Sequence, residues 1–563
     1  MGAIALPQPV RLRLGDRSLQ GLLLLALGVS LGVAVLLPVG ALVSRSVFDG
    51  ADRFVGLDNF IAYLRTPSLL DSAWRSLRVA SISAALCVSI AYVYAYALTR
   101  SCMPGRAWFR AIALVPLLAP SLLMAISLIY LFGNQGLLKA WMGSGSIYGE
   151  SGIVLGSVLW TLPHALLILT TALSTTDARV YEAAQTLGAS GWRQFLTVTL
   201  PSTRYGLLMA FVVVFVLVIT DFGVPKVVGG QAGVLATDIY KQVVGQQNFQ
   251  MGAVVALLLL LPAVAAFAIE ARLRRRQTAA LNARATPLVP RPHALRDTVL
   301  LVFCVLVAGA LLGALAVAVF ASLASYWPYN LTPTLRNYDF DNMDGGGWAT
   351  YGHSLQLACA TAVIGAAATF VSAWLVDKPR HFGAARGALN AVATLPLAIP
   401  GLALGLGYIL FFNAPWNPLN GLYGTMGILV ICTVAHFFSV AHLTQLTALR
   451  QLDREYELVS EALGVPFWRT LFTVHLPVCL PAVLEVAGYF FINAMTTVSA
   501  VVFLYSPETT LASIAVLNMD DAGDVAPAAA MAVLIFLTAA IARGLLALVQ
   551  RIVLARTQAW RHR

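Results

Sequence analysis

Two polar stretches of this chain repeat one pattern, and its residue types suit gripping a partner rather than making or breaking bonds. The first copy runs Glu182-Ala183-Ala184, Gly188, Trp192-Arg193 and Leu200-Pro201. The second holds Glu457, Ser460, Glu461, Gly464, Trp468-Arg469 and Leu476-Pro477. Gly188 and Pro201 stand thirteen residues apart, as do Gly464 and Pro477, and an offset of 276 residues also lays Asp177 on Asp453. Alanines let a partner surface approach closely. Glu182 is expected to begin a short helix, near the positive end of its dipole. Gly188 can take a positive φ and end that helix, so that Ser190 or Gly191 starts the next. Trp192 and Phe195 supply apolar faces, and Pro201 is expected in the first turn of the following span, where its missing N–H costs nothing. One such loop reads as an ordinary amphipathic segment; two at matched positions read as a pair of docking sites.

A second set of polar residues lies at the ends of apolar runs. Thr220, Asp221 and Lys226 close one run, and Asn493, Thr496, Thr497 and Ser499 close its counterpart 276 residues later. Polar groups at membrane depth are default candidates for a substrate path. Asp221 could receive a cationic group, and Lys226 or the hydroxyls an anionic one; the alternative is that Asp221 and Lys226 pair with each other or cap the helix end. His164 and His436 read as packed, hydrogen-bonded side chains. The six cysteines are scattered without a CxxC pair, so neither a disulfide framework nor a metal site is expected. The phosphate-cradling GxxxxGK[ST] pattern is missing, and Gly229, Gly230 and Gly233 are followed by no Lys-Ser or Lys-Thr. No HExxH or GxSxG motif stands out either. The chain is expected not to be an enzyme.

The elements that must carry these residues are membrane helices. Of 563 residues 59% are hydrophobic and 11% charged, and the mean hydropathy is +0.80. Apolar runs of about 20 residues, enough to cross a bilayer core, recur along the whole length. Six lie near 20–44, 77–98, 110–132, 152–174, 203–224 and 249–270, and six near 298–322, 354–376, 388–412, 423–446, 478–503 and 526–550. The reading is an all-α membrane protein of about twelve transmembrane helices in two homologous six-helix halves. Its parts are a cytoplasmic N-terminus (1–18), a first half (19–270), a linker (271–297) rich in Arg and Pro, a second half (298–550) and a cytoplasmic C-terminus (551–563).

The net charge of +11 is distributed by topology. Arg11, Arg13 and Arg17, Arg100, Arg106 and Arg110, Arg272 and Arg274 to Arg276, Lys378, Arg380 and Arg386, and Arg551, Arg556, Arg561 and Arg563 share one side if the spans alternate. Asp339, Asp341, Asp344, Asp520, Asp521 and Asp524 share the other. That is the positive-inside bias, with both termini cytoplasmic, and it speaks for anionic lipid contact and against nucleic acid. The apolar region Leu19 to Val43 is too long for a cleavable signal and is taken as the first span.

The repeat extends into the spans. Arg75-Ser76-Leu77 matches His353-Ser354-Leu355, and Val115-Pro116-Leu117-Leu118-Ala119-Pro120 matches Leu395-Pro396-Leu397-Ala398-Ile399-Pro400. With the doubled Glu-Ala-Ala…Gly…Leu-Pro loop, the chain resembles the permease subunits of bacterial ATP-binding-cassette importers, of the type I architecture. A single chain of two fused halves is similar to the iron(III), thiamine and 2-aminoethylphosphonate permeases. In the second loop Leu458, Val459 and Ser460 stand where Glu182, Ala183 and Ala184 do, with Glu457 and Glu461 nearby. The resemblance implies that both loops dock on cytoplasmic cassette ATPases, two copies in all. Those subunits would bind ATP and Mg, and this chain would hold no cofactor of its own. A periplasmic binding protein would deliver a small solute to this multi-pass permease of the inner membrane. The stretches Thr220 to Lys226, Ala236 to Tyr240 and Gln246 to Phe249 look most like the aminoethylphosphonate branch, with iron(III) or thiamine as alternatives. A gradient-driven transporter is the rival class, but it would more often show paired ionisable residues in mid-span.

Overall fold

The computed structural model describes residues 14–280, 286 and 288–557. Arg11, Arg13, Pro287, Arg561 and Arg563 lie outside them, as do the side chains of Arg274, Arg275, Arg276 and Arg556. Among the described residues ten helices are long and apolar enough to cross a membrane: Gly15–Ser46, Pro67–Arg100, Glu150–Ser174, Gly191–Thr220, Phe249–Glu270, Ala294–Leu323, Gly347–Asp377, Met426–Arg450, Phe467–Thr496 and Val525–Val553. Two further spans, the third and the ninth, are bent pairs: Arg106–Leu118 with Ser121–Phe132 (104°), and Gly383–Ala398 with Gly401–Phe412 (113°). The chain is an all-α membrane protein with ten to twelve spans, as its composition requires.

The third and ninth spans, expected near 110–132 and 388–412, change direction within those bounds. Pro120 and Pro400 force the residue before each into extended backbone, and Ala119 (ψ 139°) and Ile399 (ψ 116°) obey. Hydropathy reports that a segment is apolar, not which way it points. The fifth span, expected to reach 224, ends at Thr220, and a short helix Gly223–Val228 follows at a new angle. The helix of the sixth span runs on to Ala280 and that of the seventh begins at Ala294.

The halves embrace. The first span packs along Gly401–Phe412 of the ninth, and the seventh packs along Ser121–Phe132 of the third. Tyr408 donates its hydroxyl to Ala34 O (2.7 Å), and a Cβ at Gly407 would collide with the Pro38 carbonyl, so the close approach requires glycine. Inside each half one serine performs the same task. Ser76 Oγ accepts from Leu235 N and Ser354 Oγ accepts from Ala512 N, both at 2.8 Å, so each buried serine caps the start of a short helix, Leu235–Tyr240 or Ala512–Ala522, that precedes the sixth or the twelfth span.

Candidate coupling loops and translocation path

Each loop is a short helix, a glycine turn and a helix that runs on into the membrane. The first helix, Ala178–Thr186, is capped by Asp177, whose side chain accepts from Arg179 N. Glu182 therefore sits in its interior and does not begin it; the dipole argument passes to Asp177. The Arg179 backbone N–H, with Thr286 behind it, holds the Asp177 carboxyl below the usual carboxylate range. Thr286 Oγ1 donates to Asp177 Oδ1 (3.0 Å), and Ala178 N donates to Thr286 O (2.9 Å), so a linker residue clasps the start of this helix.

Gly188 (φ 72°) and Gly464 (φ 65°) end the two helices in the left-handed conformation expected of them. The bonds match: Gly188 N to Gln185 O and Ala189 N to Ala184 O in one loop, Gly464 N to Glu461 O and Val465 N to Ser460 O in the other. Ser190 then starts the next helix by accepting from Arg193 N.

Pro201 and Pro477 are not in first turns. Each lies within a continuous helix, Gly191–Thr220 or Phe467–Thr496, just after one widened turn, Phe195–Thr199 or Leu471–His475. Leu200 N bonds to Phe195 O and Leu476 N to Leu471 O, which lets the helix pass a residue without an N–H.

The outward faces of the loops match in ways their letters hide. Leu187 (84% exposed) and Leu463 (73%) are exposed at the two helix ends, Val180 and Tyr456 at the two starts, and Trp192 and Trp468 in the two second helices. Sequence reading missed the leucines, although the residue just before each glycine was the place to look. Glu182, Ala183, Arg193 and Arg469 are exposed beside them, while Ala184, Ser460 and Glu461 are half-buried. Ser460 accepts from Thr470 Oγ1 and Glu461 pairs with Arg380.

The inward faces carry one long side chain each, at positions 276 residues apart. Tyr181 is buried and donates its hydroxyl to Thr199 Oγ1 (3.0 Å), under the guanidinium of buried Arg100 (5.0 Å from the ring centre). Glu457 reaches His475 Nε2 (3.1 Å) and Lys378 Nζ (2.8 Å).

The path residues are only partly united. Asp221 accepts from Ser121 Oγ (3.1 Å), Gly223 N (3.3 Å) and Val224 N (2.9 Å), capping the short helix. Lys226 does not pair with it: the ammonium meets Asp521 of the other half at 2.9 Å and lies over the Tyr240 ring. Thr220, Asn493 and Thr496 donate to carbonyls four residues back in their own helices. The Thr497 carbonyl accepts from Ser513 Oγ, and Ser499 fills the space that Gly401 leaves. Among the described residues no hydrogen bond joins the two sets. His164 and His436 are packed in the fourth and tenth spans against Trp160 and Phe437.

The family model described as "Binding-protein-dependent transport system inner membrane component" matches residues 72–279 and again 379–554. FbpB 1 of Haemophilus influenzae, named for ferric transport, is 28% identical over 440 residues, 75% of this chain and 68% of that protein. The ferric transport system permease protein FbpB of Actinobacillus pleuropneumoniae is 26% identical over 456 residues, 78% of this chain and 65% of the relative. A solved bacterial ABC transporter that imports alginate covers 47% of this chain and is itself covered to 96%, at 16% identity and a TM-score of 0.39. With two matches that together take in most of its length, both apolar and both holding a glycine-ended loop, the chain belongs to the inner-membrane permease family of binding-protein-dependent ABC importers.

Proposed function

We propose that this permease admits ferric iron, using ATP hydrolysed by two cassette ATPases docked on the loops at 177–201 and 453–477. The observation that carries the cargo is that relatives matched along three quarters of the chain are named for ferric transport. Aminoethylphosphonate, the solute expected from the sequence, has no such support. A hard trivalent cation also suits the acidic end opposite the loops, where Asp520, Asp521 and Asp524 stand. The matched exposed leucines and tryptophans support docking, because apolar side chains bared at two equivalent places mark an interface. The basic bias supports loops and termini in the cytoplasm, with a periplasmic binding protein meeting the acidic end. Glu182 lies on the docking face, and Mg and ATP are held by the partners.

The test is ATP-dependent uptake of radioactive iron into proteoliposomes holding this chain with the ATPase and binding protein encoded beside it. Uptake competed by ferric but not by aminoethylphosphonate or thiamine is the expected result; competition by either of those moves the cargo. Gly188→Pro, which cannot adopt the positive φ, and Glu182→Lys, which reverses a charge on the docking face, are expected to reduce uptake at least tenfold at normal membrane insertion. Unchanged uptake by both rejects the docking role.

A further inference from the structure

We infer that Glu457, Lys378 and His475 are the positioning residues through which the second loop moves the membrane helices, an ionic equivalent of the Tyr181–Arg100–Thr199 contact in the first half. The inference rests on the loops being ATPase docking sites. A helix of eight or nine residues has little stability of its own, so something must tie it to the spans if a push on it is to be felt beyond it. In both halves an inward side chain from the same register position, 181 or 457, makes such a tie, and in the second loop Ser460–Thr470 and Glu461–Arg380 lie beside it.

The partners correspond as well. Thr199 and His475 are the last residues of the two widened turns, and Arg100 and Lys378 are the buried cations at the cytoplasmic ends of the second and eighth spans. The same three sites therefore hold phenol, hydroxyl and guanidinium in one half, and carboxylate, imidazole and ammonium in the other.

The second set is built as a chain of directed bonds. Trp374 Nε1–H donates to His475 Nδ1 (3.1 Å), which leaves Nε2 as the protonated nitrogen that donates to Glu457 Oε1 (3.1 Å). Lys378 Nζ sits 2.8 Å from the same oxygen and 3.6 Å from Asp377, and Arg450 faces Asp377 from the tenth span. The side chains of Lys378 and His475 are 5% and 2% exposed, so neither can exchange its partner for water. Trp374 also stacks on Phe467, at the start of the eleventh span's helix (5.3 Å). Glu457 thus touches the eighth span through Lys378 and the eleventh through His475. A displacement of the loop helix must either carry both spans or strip buried Lys378 of its 2.8 Å partner and leave it only Asp377, at 3.6 Å and shared with Arg450, which is the costlier course.

The test uses the whole complex, permease with its ATPases, and reads hydrogen–deuterium exchange with and without vanadate-trapped nucleotide. The wild type is expected to change at the loop helix 455–462 and also at the far ends of the eighth and eleventh spans. In Glu457→Gln and in Lys378→Met the change should stay within the loop, while the first half responds as before. The triple variant Glu457→Tyr, His475→Thr, Lys378→Arg, which installs the first half's set, should return at least half of the distant change. Full propagation in the two single variants overturns the proposal. So does a triple variant that retains its ATPases and leaves the eighth and eleventh spans silent. Failure of the wild type to hold ATPases at all would instead strike the docking role of the loops.

Discussion

The two halves keep one backbone and exchange the chemistry mounted on it. Their third and ninth spans break at equivalent prolines, by 104° and 113°, and their loops end in glycines at φ 72° and 65°. Where two elements touch, however, the residues change as pairs. Ser121 lies against Gly223 in the first half; at the equivalent contact Gly401 lies against Ser499, with the hydroxyl now on the opposite element. A gap of fixed size is filled once, from either side. The unit that is kept is the contact, not the residue, and a glycine is required wherever the partner supplies the bulk.

That comparison can be broken most forcefully at the exchanged pair. Gly401→Ser alone sets two side chains in one space, and overpacking of this kind costs about 1–3 kcal/mol. The double variant Gly401→Ser, Ser499→Gly repeats the first half's order and should recover most of the loss. Thermal unfolding in detergent, followed by size exclusion, measures both. If the double is no better than the single, the contacts are not equivalent.

A milder test asks whether the halves are equal where they look equal. Ser76→Ala and Ser354→Ala each leave a buried backbone N–H, that of Leu235 or Ala512, without its acceptor. Each should cost about 1–3 kcal/mol, and the two values should agree within about half a kcal/mol. A clear inequality in the same melting assay would show that one half carries more of the fold's stability.

The smallest effect sharpens a difference instead. Asp177 is clasped by Thr286, whereas among the described residues the Asp453 side chain accepts from Glu455 N in its own loop alone. Thr286→Val removes the side-chain bond from the first loop alone. Amide exchange at 178–181 should quicken roughly twofold with 455–458 unchanged, since local opening responds to the loss of a surface bond before global stability does. Equal quickening in both loops would mean that the clasp is not local.

Much of this was legible in the sequence, and the failures have identifiable causes. The spans follow from apolar length, and the loop ends follow from glycines that alone tolerate a positive φ without strain. The bends were also written there, in Pro120 and Pro400, but a hydropathy run hides a change of direction. The start of the first loop helix was set at Glu182 because the motif letters begin there, although Asp177 is the better capping residue five positions earlier. Tyr181, and its equivalence to the loop residue Glu457, escaped notice because an aromatic and a carboxylate do not look like copies of one site. The Lys226–Asp521 pair joins residues far apart in the chain, and no local pattern announces it.

That last pair has a consequence for how the end opposite the loops parts. Lys226 and Asp521 hold the two halves together there with opposite charges, 23% and 47% exposed. Dissolved ions weaken an attraction between partly exposed charges and leave apolar packing almost untouched. The end opposite the loops therefore answers to the salinity around it: as salt rises, the charged tie between the halves loosens while the apolar packing beside it holds.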